Sequence, residues 1–261
     1  PAANKTALVA DLQPGLIGSV PSGLTVFGDK LLFVADDGVH GRELWAASPD
    51  GGVQLLQDLH PGAAHAFPAT RGEAPLAIVG EWAYFAADDG VHGTELWRTN
   101  GLPGGANLVA DLLEGPVSAS PRSLTPVAGG LAFRANDGAH GTELWFTTGD
   151  AAGTRLVADI APGTPTSAGR DLLAVGNNLY FVADDGVHGL ELWVSNLTAA
   201  GTRMVADIAP GAEDARPEQL VAWNGAVYFT AQTSSLGREL WRTDGSTAGT
   251  VNVADLNPGG A

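Results

Sequence analysis

The sequence has few of the residues that cross-link a protein or give it positive charge. Among 261 residues it has no cysteine, one methionine (Met204) and two lysines (Lys5 and Lys30). Without cysteine the chain forms no disulfide and no thiolate metal site, so an apolar core has to hold it together. It also lacks any run of about 18 apolar residues, the length that crosses a bilayer, so we expect no membrane insertion.

The charge balance is strongly acidic. Thirteen basic residues stand against 29 acidic ones, for a net charge of −16, although charged residues make up only 16% of the chain. Such a chain repels phosphate backbones and anionic lipid, so nucleic acid is not an expected partner. Proteins, divalent cations and neutral ligands such as sugars remain open.

An internal repeat dominates the sequence, which is also rich in turn formers, with 36 glycines and 16 prolines. The tripeptide Glu-Leu-Trp recurs five times at a nearly constant spacing, and the last four copies are evenly spaced. The copies are Glu43-Leu44-Trp45, Glu95-Leu96-Trp97, Glu143-Leu144-Trp145, Glu191-Leu192-Trp193 and Glu239-Leu240-Trp241. A period of roughly 50 residues indicates a repeat architecture.

Each repeat reads as four short strands separated by Gly/Asx turns, which is the size of a propeller blade. We therefore predict an all-β, five-bladed β-propeller with four antiparallel strands per blade, in a single domain over residues 1–261. An open β-solenoid is the alternative. The predicted blades span about 24–59, 76–112, 123–160, 171–208 and 219–256.

The fourth-strand motif occurs once more than the number of blades. Its six copies carry Asp11, Asp58, Asp111, Asp159, Asp207 and Asp255. Residues 1–13 are therefore predicted to form a surplus outer strand. This strand either closes the ring in the last blade, or is the trailing edge of a preceding repeat, or pairs with the exposed edge of another molecule.

The repeat resembles the bacterial secreted ELWxxDGT-repeat family. The last unit carries Glu239-Leu240-Trp241 followed by Arg242-Thr243-Asp244-Gly245, while the turn is degraded at residues 48–50, 147–149 and 195–197. The resemblance implies a secreted or cell-surface, propeller-like repeat protein, and it implies no known reaction.

The candidate ligand residues lie in the loop between the second and third strands, which contains Asp and His. Carboxylates are ligands for Ca²⁺, and imidazole is a ligand for transition metals. Asp-Gly is also ordinary tight-turn chemistry, so a turn, a sugar-binding rim and a metal site are all open, with Asp36, Asp88 and Asp184 as the metal candidates. Four repeats carry the set: Asp36, Asp37 and His40; Asp88, Asp89 and His92; Asn136, Asp137 and His140; Asp184, Asp185 and His188.

The other repeated polar and aromatic residues are predicted to be structural. Glu and Trp of each tripeptide share one face of a strand, so the Glu is expected to be partly buried and to accept hydrogen bonds from the preceding loop, while the Trp packs between blades. The repeated Asp is expected to pin the Pro-Gly crossover. Trp82 and Trp223 lie outside the repeat and are the candidates for an exposed aromatic contact.

No catalytic motif emerges from the sequence, and the polar residues follow the repeat. The sequence therefore predicts an extracellular or cell-surface protein that is not an enzyme and that serves as a binding or assembly module, self-associating or binding a protein through its terminal strand. A lectin-like propeller with glycan sites between blades and a calcium-stabilised adhesion module are the alternatives. Calcium is the one cofactor that the sequence suggests.

Overall fold

The fold is described from a computed structural model, which covers residues 6–67, 76–163, 166–167 and 170–255. Residues 1–5 of the predicted surplus strand and residue 256 of the last predicted blade lie outside these ranges. The chain divides into two compact units, Pro1–Ser120 and Pro121–Ala261. The first unit contains two sheets and the second contains three.

The first unit is built from two four-stranded antiparallel sheets, each in sequential strand order. The first sheet consists of β1 (Ser22–Phe27), β2 (Lys30–Asp36), β3 (Arg42–Ala47) and β4 (Val53–Gln57). The second sheet consists of β5 (Leu76–Val79), β6 (Trp82–Asp88), β7 (Thr94–Thr99) and β8 (Ala106–Ala110).

The second unit repeats this arrangement three times. The third sheet is β9 (Arg122–Val127), β10 (Gly130–Asn136), β11 (Thr142–Thr147) and β12 (Arg155–Ala158). The fourth is β13 (Arg170–Val175), β14 (Asn178–Asp184), β15 (Leu190–Ser195) and β16 (Arg203–Met204), with a short 3-10 turn at Ala199–Gly201 before β16. The fifth is β17 (Glu218–Trp223), β18 (Ala226–Thr233), β19 (Gly237–Thr243) and β20 (Val251–Ala254).

The central strand pair has the same register in every sheet. Phe181 lies opposite Trp193 in the fourth sheet, as Phe33 lies opposite Trp45 in the first. Because side chains alternate along a strand, this register gives each sheet two apolar faces. The leading face carries the second-strand Phe and the third-strand Trp, and the trailing face carries the third-strand Leu and an apolar residue of the fourth strand.

Neighbouring sheets pack trailing face to leading face within each unit. In the second unit Leu192 and Val205 of the fourth sheet join one cluster with Val227, Phe229 and Ala231 of the fifth. In the first unit, Leu44 and Leu56 of the first sheet pack with Phe85 and Trp97 of the second. Within each unit the repeated Leu and Trp thus lie on opposite sides of the inter-sheet core, which supports the predicted packing role of the Trp.

The prediction of an all-β protein built from four-stranded antiparallel sheets is confirmed, and the arrangement is consistent with a β-propeller. In the described part of the predicted surplus strand, residues 6–12 have no strand conformation. The third strand of each sheet is already paired with its own fourth strand, so within its unit the segment meets no free third-strand edge. Among the described residues, no helix is long and apolar enough to cross a membrane.

Candidate functional site

The loops between second and third strands form a compact aspartate–histidine turn. In the first sheet, Asp36 Oδ1 accepts a hydrogen bond from the Gly38 backbone, at 2.7 Å. Asp37 Oδ1 accepts from the backbone nitrogens of Val39 and His40, at 2.9 and 2.8 Å. Asp37 Oδ2 lies 2.7 Å from His40 Nδ1. The first Asp therefore closes the turn, and the second holds the imidazole in place.

The same geometry recurs in the next three sheets. The second Asp and the His are 2.7–2.8 Å apart in each, between Oδ2 and Nδ1. In the third sheet Asn136 replaces the first Asp and accepts the same backbone hydrogen bond at 2.7 Å. Asp88 and Asp184 accept from the backbones of Gly90 and Gly186. The second Asp pairs with the His in each loop: Asp89 with His92, Asp137 with His140, and Asp185 with His188.

Each pair stabilises the ionised form of both partners. The hydrogen bond from His40 to Asp37, together with the charge of that carboxylate, raises the pKa of His40 above its usual value. Burial alone would raise the pKa of Asp37, but hydrogen bonds from His40 and Val39 hold it below its usual value. The pKa values of the other three histidines shift upward, and those of their Asp partners downward, for the same reasons.

This geometry supports the turn interpretation over the metal interpretation. Both carboxylate oxygens of Asp37 and Oδ1 of Asp36 accept hydrogen bonds within their own loop, as the turn interpretation requires. Among the residues that the structure describes, no group of three or more His, Asp or Glu side chains could hold a metal ion. Calcium binding at Asp36, Asp88 and Asp184 stays an untested prediction.

The repeated Glu binds the crossover, which is the segment that connects the fourth strand of one sheet to the first strand of the next. Glu43 is fully buried, and its two carboxylate oxygens accept from the backbone nitrogens of Leu59 and His60 at 3.2 and 3.1 Å. Glu191 Oε1 accepts from the Ala209 backbone at 2.9 Å. The Glu is therefore more deeply buried than predicted, and the predicted donors were wrong. The donors lie in the segment after the fourth strand, which passes the start of the third strand as it turns toward the next sheet.

Burial dominates the titration of these carboxyl groups. It raises the pKa of Glu43, Glu95 and Glu191 to about 7, although hydrogen bonds from the crossover backbone oppose the shift. Burial raises the pKa of Glu143 as well. Glu95 accepts hydrogen bonds from the backbone nitrogens of Leu112 and Ala119. Glu143 accepts them from the backbone nitrogens of Ile160 and Ala161.

The repeated Asp lies beside the same crossover. Asp58 Oδ2 accepts from the Gly62 backbone and Asp207 Oδ2 from the Gly211 backbone, both at 3.3 Å. These two hydrogen bonds are the predicted ones with the Pro-Gly turn. They tie the end of the fourth strand to the start of the crossover in the first and fourth sheets.

The repeated tryptophans lie in the cores, and of the two outside the repeat only Trp223 is largely exposed. Trp45, Trp97 and Trp145 are buried, and Trp193 and Trp241 pack partly buried against the clusters beside them. Outside the repeat, Trp223 is 65% exposed and its ring centroid lies 5.4 Å from that of Tyr228. Trp82 is half-buried beneath the Arg98 guanidinium, which lies 4.0 Å from the ring centroid. Trp223 is thus the more accessible of the two.

A hydroxyl at the end of the third strand is a repeated element that the sequence analysis missed. Thr243 Oγ1 accepts from the Gly245 backbone at 2.9 Å and lies 2.7 Å from Thr250 Oγ1. Thr147 with Thr154 and Ser195 with Thr202 repeat this hydroxyl pair at 2.7 Å. The signal was available, because a Thr or Ser follows the Trp by two residues in four of the five repeats.

A polar groove of about 450 Å³ lies between the fourth and fifth sheets, at the end opposite the Asp–His loops. Arg203 crosses it and donates from Nη2 to the Gly245 carbonyl oxygen at 2.6 Å. The polar lining of the groove also includes Asn178, Tyr180, Asn196, Asp244 and Ser246.

Comparisons with known proteins identify the fold class but no family. No family model matches the chain, and no curated protein matches it. A puromycin hydrolase S511A mutant complexed with PGG has a TM-score of 0.50 at 15% identity, over 94% of this chain and 40% of that one. A structure of prolyl endopeptidases has a TM-score of 0.52 at 12% identity, over 90% and 36%. The chain thus spans about two fifths of the length of these proteins, and at such identity the likeness shows the fold alone.

These comparisons correct one prediction. The sequence predicted that the chain is not an enzyme, and this is contradicted because structures with the same fold include a puromycin hydrolase and prolyl endopeptidases. The prediction took the absence of catalytic motifs and the symmetry of the polar residues as evidence against an enzyme. A fold of this class occurs in hydrolases, so that reasoning was not sufficient.

Proposed function

We propose that the five sheets are five blades of a β-propeller in a secreted or cell-surface repeat protein of the ELWxxDGT kind. Its role is that of a binding or assembly module, and its partner is a protein, most simply another copy of the same chain. The observation that supports this is the state of the N-terminal segment, residues 6–12, which carries a complete fourth-strand motif and forms no strand.

The segment exposes apolar residues that the repeat buries elsewhere. Val9 stands two residues before Asp11 and is 65% exposed. The four residues at the same place in the first four sheets are at most 3% exposed. They are Leu56, Val109, Val157 and Val205. A strand sequence with an exposed apolar side and no pairing partner is suited to pair with another molecule.

Light scattering tests the proposal by absolute mass. The full chain is measured over a concentration series beside a chain that lacks residues 1–13. We expect the full chain to exceed its single-chain mass and the truncated chain to remain at the single-chain value. A full chain that stays at the single-chain mass throughout would contradict self-association.

The polar groove between the fourth and fifth sheets supports a second candidate, glycan binding between blades. Amide, carboxylate, hydroxyl and guanidinium groups line it, and such groups form hydrogen bonds with the hydroxyls of neutral sugars. Saturation-transfer NMR with a panel of neutral oligosaccharides tests it, with Asn196→Ala and Ser246→Ala as variants. Transfer that the two variants abolish would place the sugar in this groove, and transfer that they leave unchanged would contradict the assignment.

A further inference from the structure

A second and smaller groove lies on the other side of the fourth sheet, at the same end as the polar groove. Its volume is about 220 Å³, and its walls include Val127 and Ala128 of the third sheet and Leu197 of the fourth. Asn178 and Asn196 line both grooves. The two grooves therefore meet at this end of the fourth sheet, and both lie within the second unit.

A comparison with the first two sheets shows why the polar groove is open. Lys30 and Asn178 are counterparts, because each is the first residue of the second strand of its sheet. Lys30 Nζ donates to the Gly101 carbonyl oxygen at 2.8 Å, so this side chain spans the space between the first and second sheets. Asn178 is shorter and makes no such bond to Gly245, the counterpart of Gly101, whose carbonyl oxygen accepts from Arg203 instead.

Three exposed asparagines also distinguish this end of the fourth sheet, and they are Asn177, Asn178 and Asn196. None of the other repeats has more than one Asn at these three positions. The amides of Asn177 and Asn178 have no hydrogen-bond partner among the described residues, and Asn196 uses only its oxygen, which accepts from Thr198. Each amide offers a donor, an acceptor or both without a net charge, which matches the hydroxyl groups of a neutral sugar.

Leu197 is held in a backbone conformation that favours glycine. Its φ is +67°, and its counterparts in the second, third and fifth repeats are Gly101, Gly149 and Gly245. Leucine carries strain in this conformation that glycine does not. Its side chain packs against the core between the third and fourth sheets and forms an apolar wall of the smaller groove. Strained residues of this kind are concentrated at ligand sites.

We infer that the two grooves form one site for a chain of neutral sugars, with Asn178 and Asn196 at its middle and Leu197 beside one end. A single sugar occupies one groove, whereas an extended chain occupies both, so affinity rises with chain length until both grooves are filled. The net charge of −16 favours neutral over anionic glycans. The inference rests on the glycan binding proposed above and names the kind of glycan.

Titration calorimetry with neutral gluco-, manno- and galacto-oligosaccharides of one to six sugar units tests the inference. Asn178→Lys reproduces Lys30 of the first sheet and fills the polar groove. Leu197→Gly reproduces the glycine of three other repeats and removes a wall of the smaller groove without adding strain. Asn107→Lys is the matched control, because it makes the same replacement at an exposed residue of β8 that lines neither groove. Near-ultraviolet circular dichroism of the tryptophans verifies that each variant is folded.

The two groove variants are expected to differ in their dependence on chain length. The affinity of the parent chain rises about tenfold or more from the single sugar to the longest oligosaccharide. Asn178→Lys weakens binding at every length, whereas Leu197→Gly binds single sugars like the parent and loses the gain with length. Asn107→Lys binds like the parent. Equal affinities at all lengths, or a groove variant that binds every oligosaccharide like the parent, would overturn the inference while leaving glycan binding intact. A parent chain that binds none of the oligosaccharides would overturn both.

Discussion

Glu191 Oε1 and the backbone nitrogen of Ala209 are 2.9 Å apart, and this hydrogen bond ties the third strand of the fourth sheet to the crossover that leads to the fifth. Glu191 is fully buried and Ala209 is 1% exposed, so the bond is shielded from water. The Glu of the repeated tripeptide therefore holds in place the segment that connects consecutive sheets.

Removing this carboxyl group is expected to destabilise the second unit. Glu191→Ala leaves the Ala209 nitrogen without its acceptor, which costs about 1–3 kcal/mol for a buried group. Glu191→Gln keeps an acceptor oxygen at the same place and should cost much less. Urea unfolding followed by tryptophan fluorescence measures both. Equal losses for the two variants would contradict the role of Oε1 as the required acceptor.

The stability of the fold is expected to fall as the pH rises from 5 to 8. The pKa of Glu191 is about 7 in the folded chain against an ordinary value of 4.5, so the folded state holds more protons between these values. Stability from this group is complete below pH 4.5 and is lost as the pH rises through 7. Glu43 and Glu95 act in the same direction.

The aspartate–histidine pairs shape the same profile. The folded pKa of His188 is raised above 6.5, so its contribution is complete below that value and is lost as the pH rises through the folded pKa. The folded pKa of Asp185 is lowered below 3.8, so its contribution is lost in stronger acid. Melting temperatures measured from pH 3 to 9 should therefore peak on the mildly acidic side, and Glu191→Gln should flatten the decline toward pH 8. A peak above pH 8 would contradict these assignments.

A single substitution should separate one histidine from the other three. Asp185→Asn keeps a side-chain oxygen for the backbone of Val187 and His188 but removes the charge beside the ring. We expect the pKa of His188 to move down toward 6.5 while those of the other paired histidines stay in place. NMR titration of the imidazole C–H signals measures this, and Asp184→Asn is the control because its carboxylate accepts from Gly186 and not from the ring.

The sequence predicted the strands well because the signals for them are local. Phe181 and Trp193 lie opposite each other on adjacent strands of a fixed register, and the Asp184–Gly189 loop has a recognisable turn sequence, so both could be inferred from the spacing of the repeat. The partner of Glu191 could not, because Ala209 is distant in the sequence and its approach depends on where the crossover turns. The unpaired state of residues 6–12 was equally out of reach, since a strand sequence does not reveal whether an edge is free to receive it.

The last prediction concerns Gly189, where the crossover between the fourth and fifth sheets comes close to the Asp184–Gly189 loop. Its φ is +67°, and a Cβ added there would lie 2.5 Å from the Glu213 carbonyl oxygen. Gly186 in the same loop has a φ of +80° and open space around it. Alanine at either position carries the strain of a positive φ, about 1 kcal/mol, but only Gly189→Ala also forces the crossover backbone away. We therefore expect Gly189→Ala to lower the free energy of unfolding by at least about 1 kcal/mol more than Gly186→Ala does. Chemical denaturation of the two variants in parallel decides this, and equal losses would mean that the crossover yields without cost.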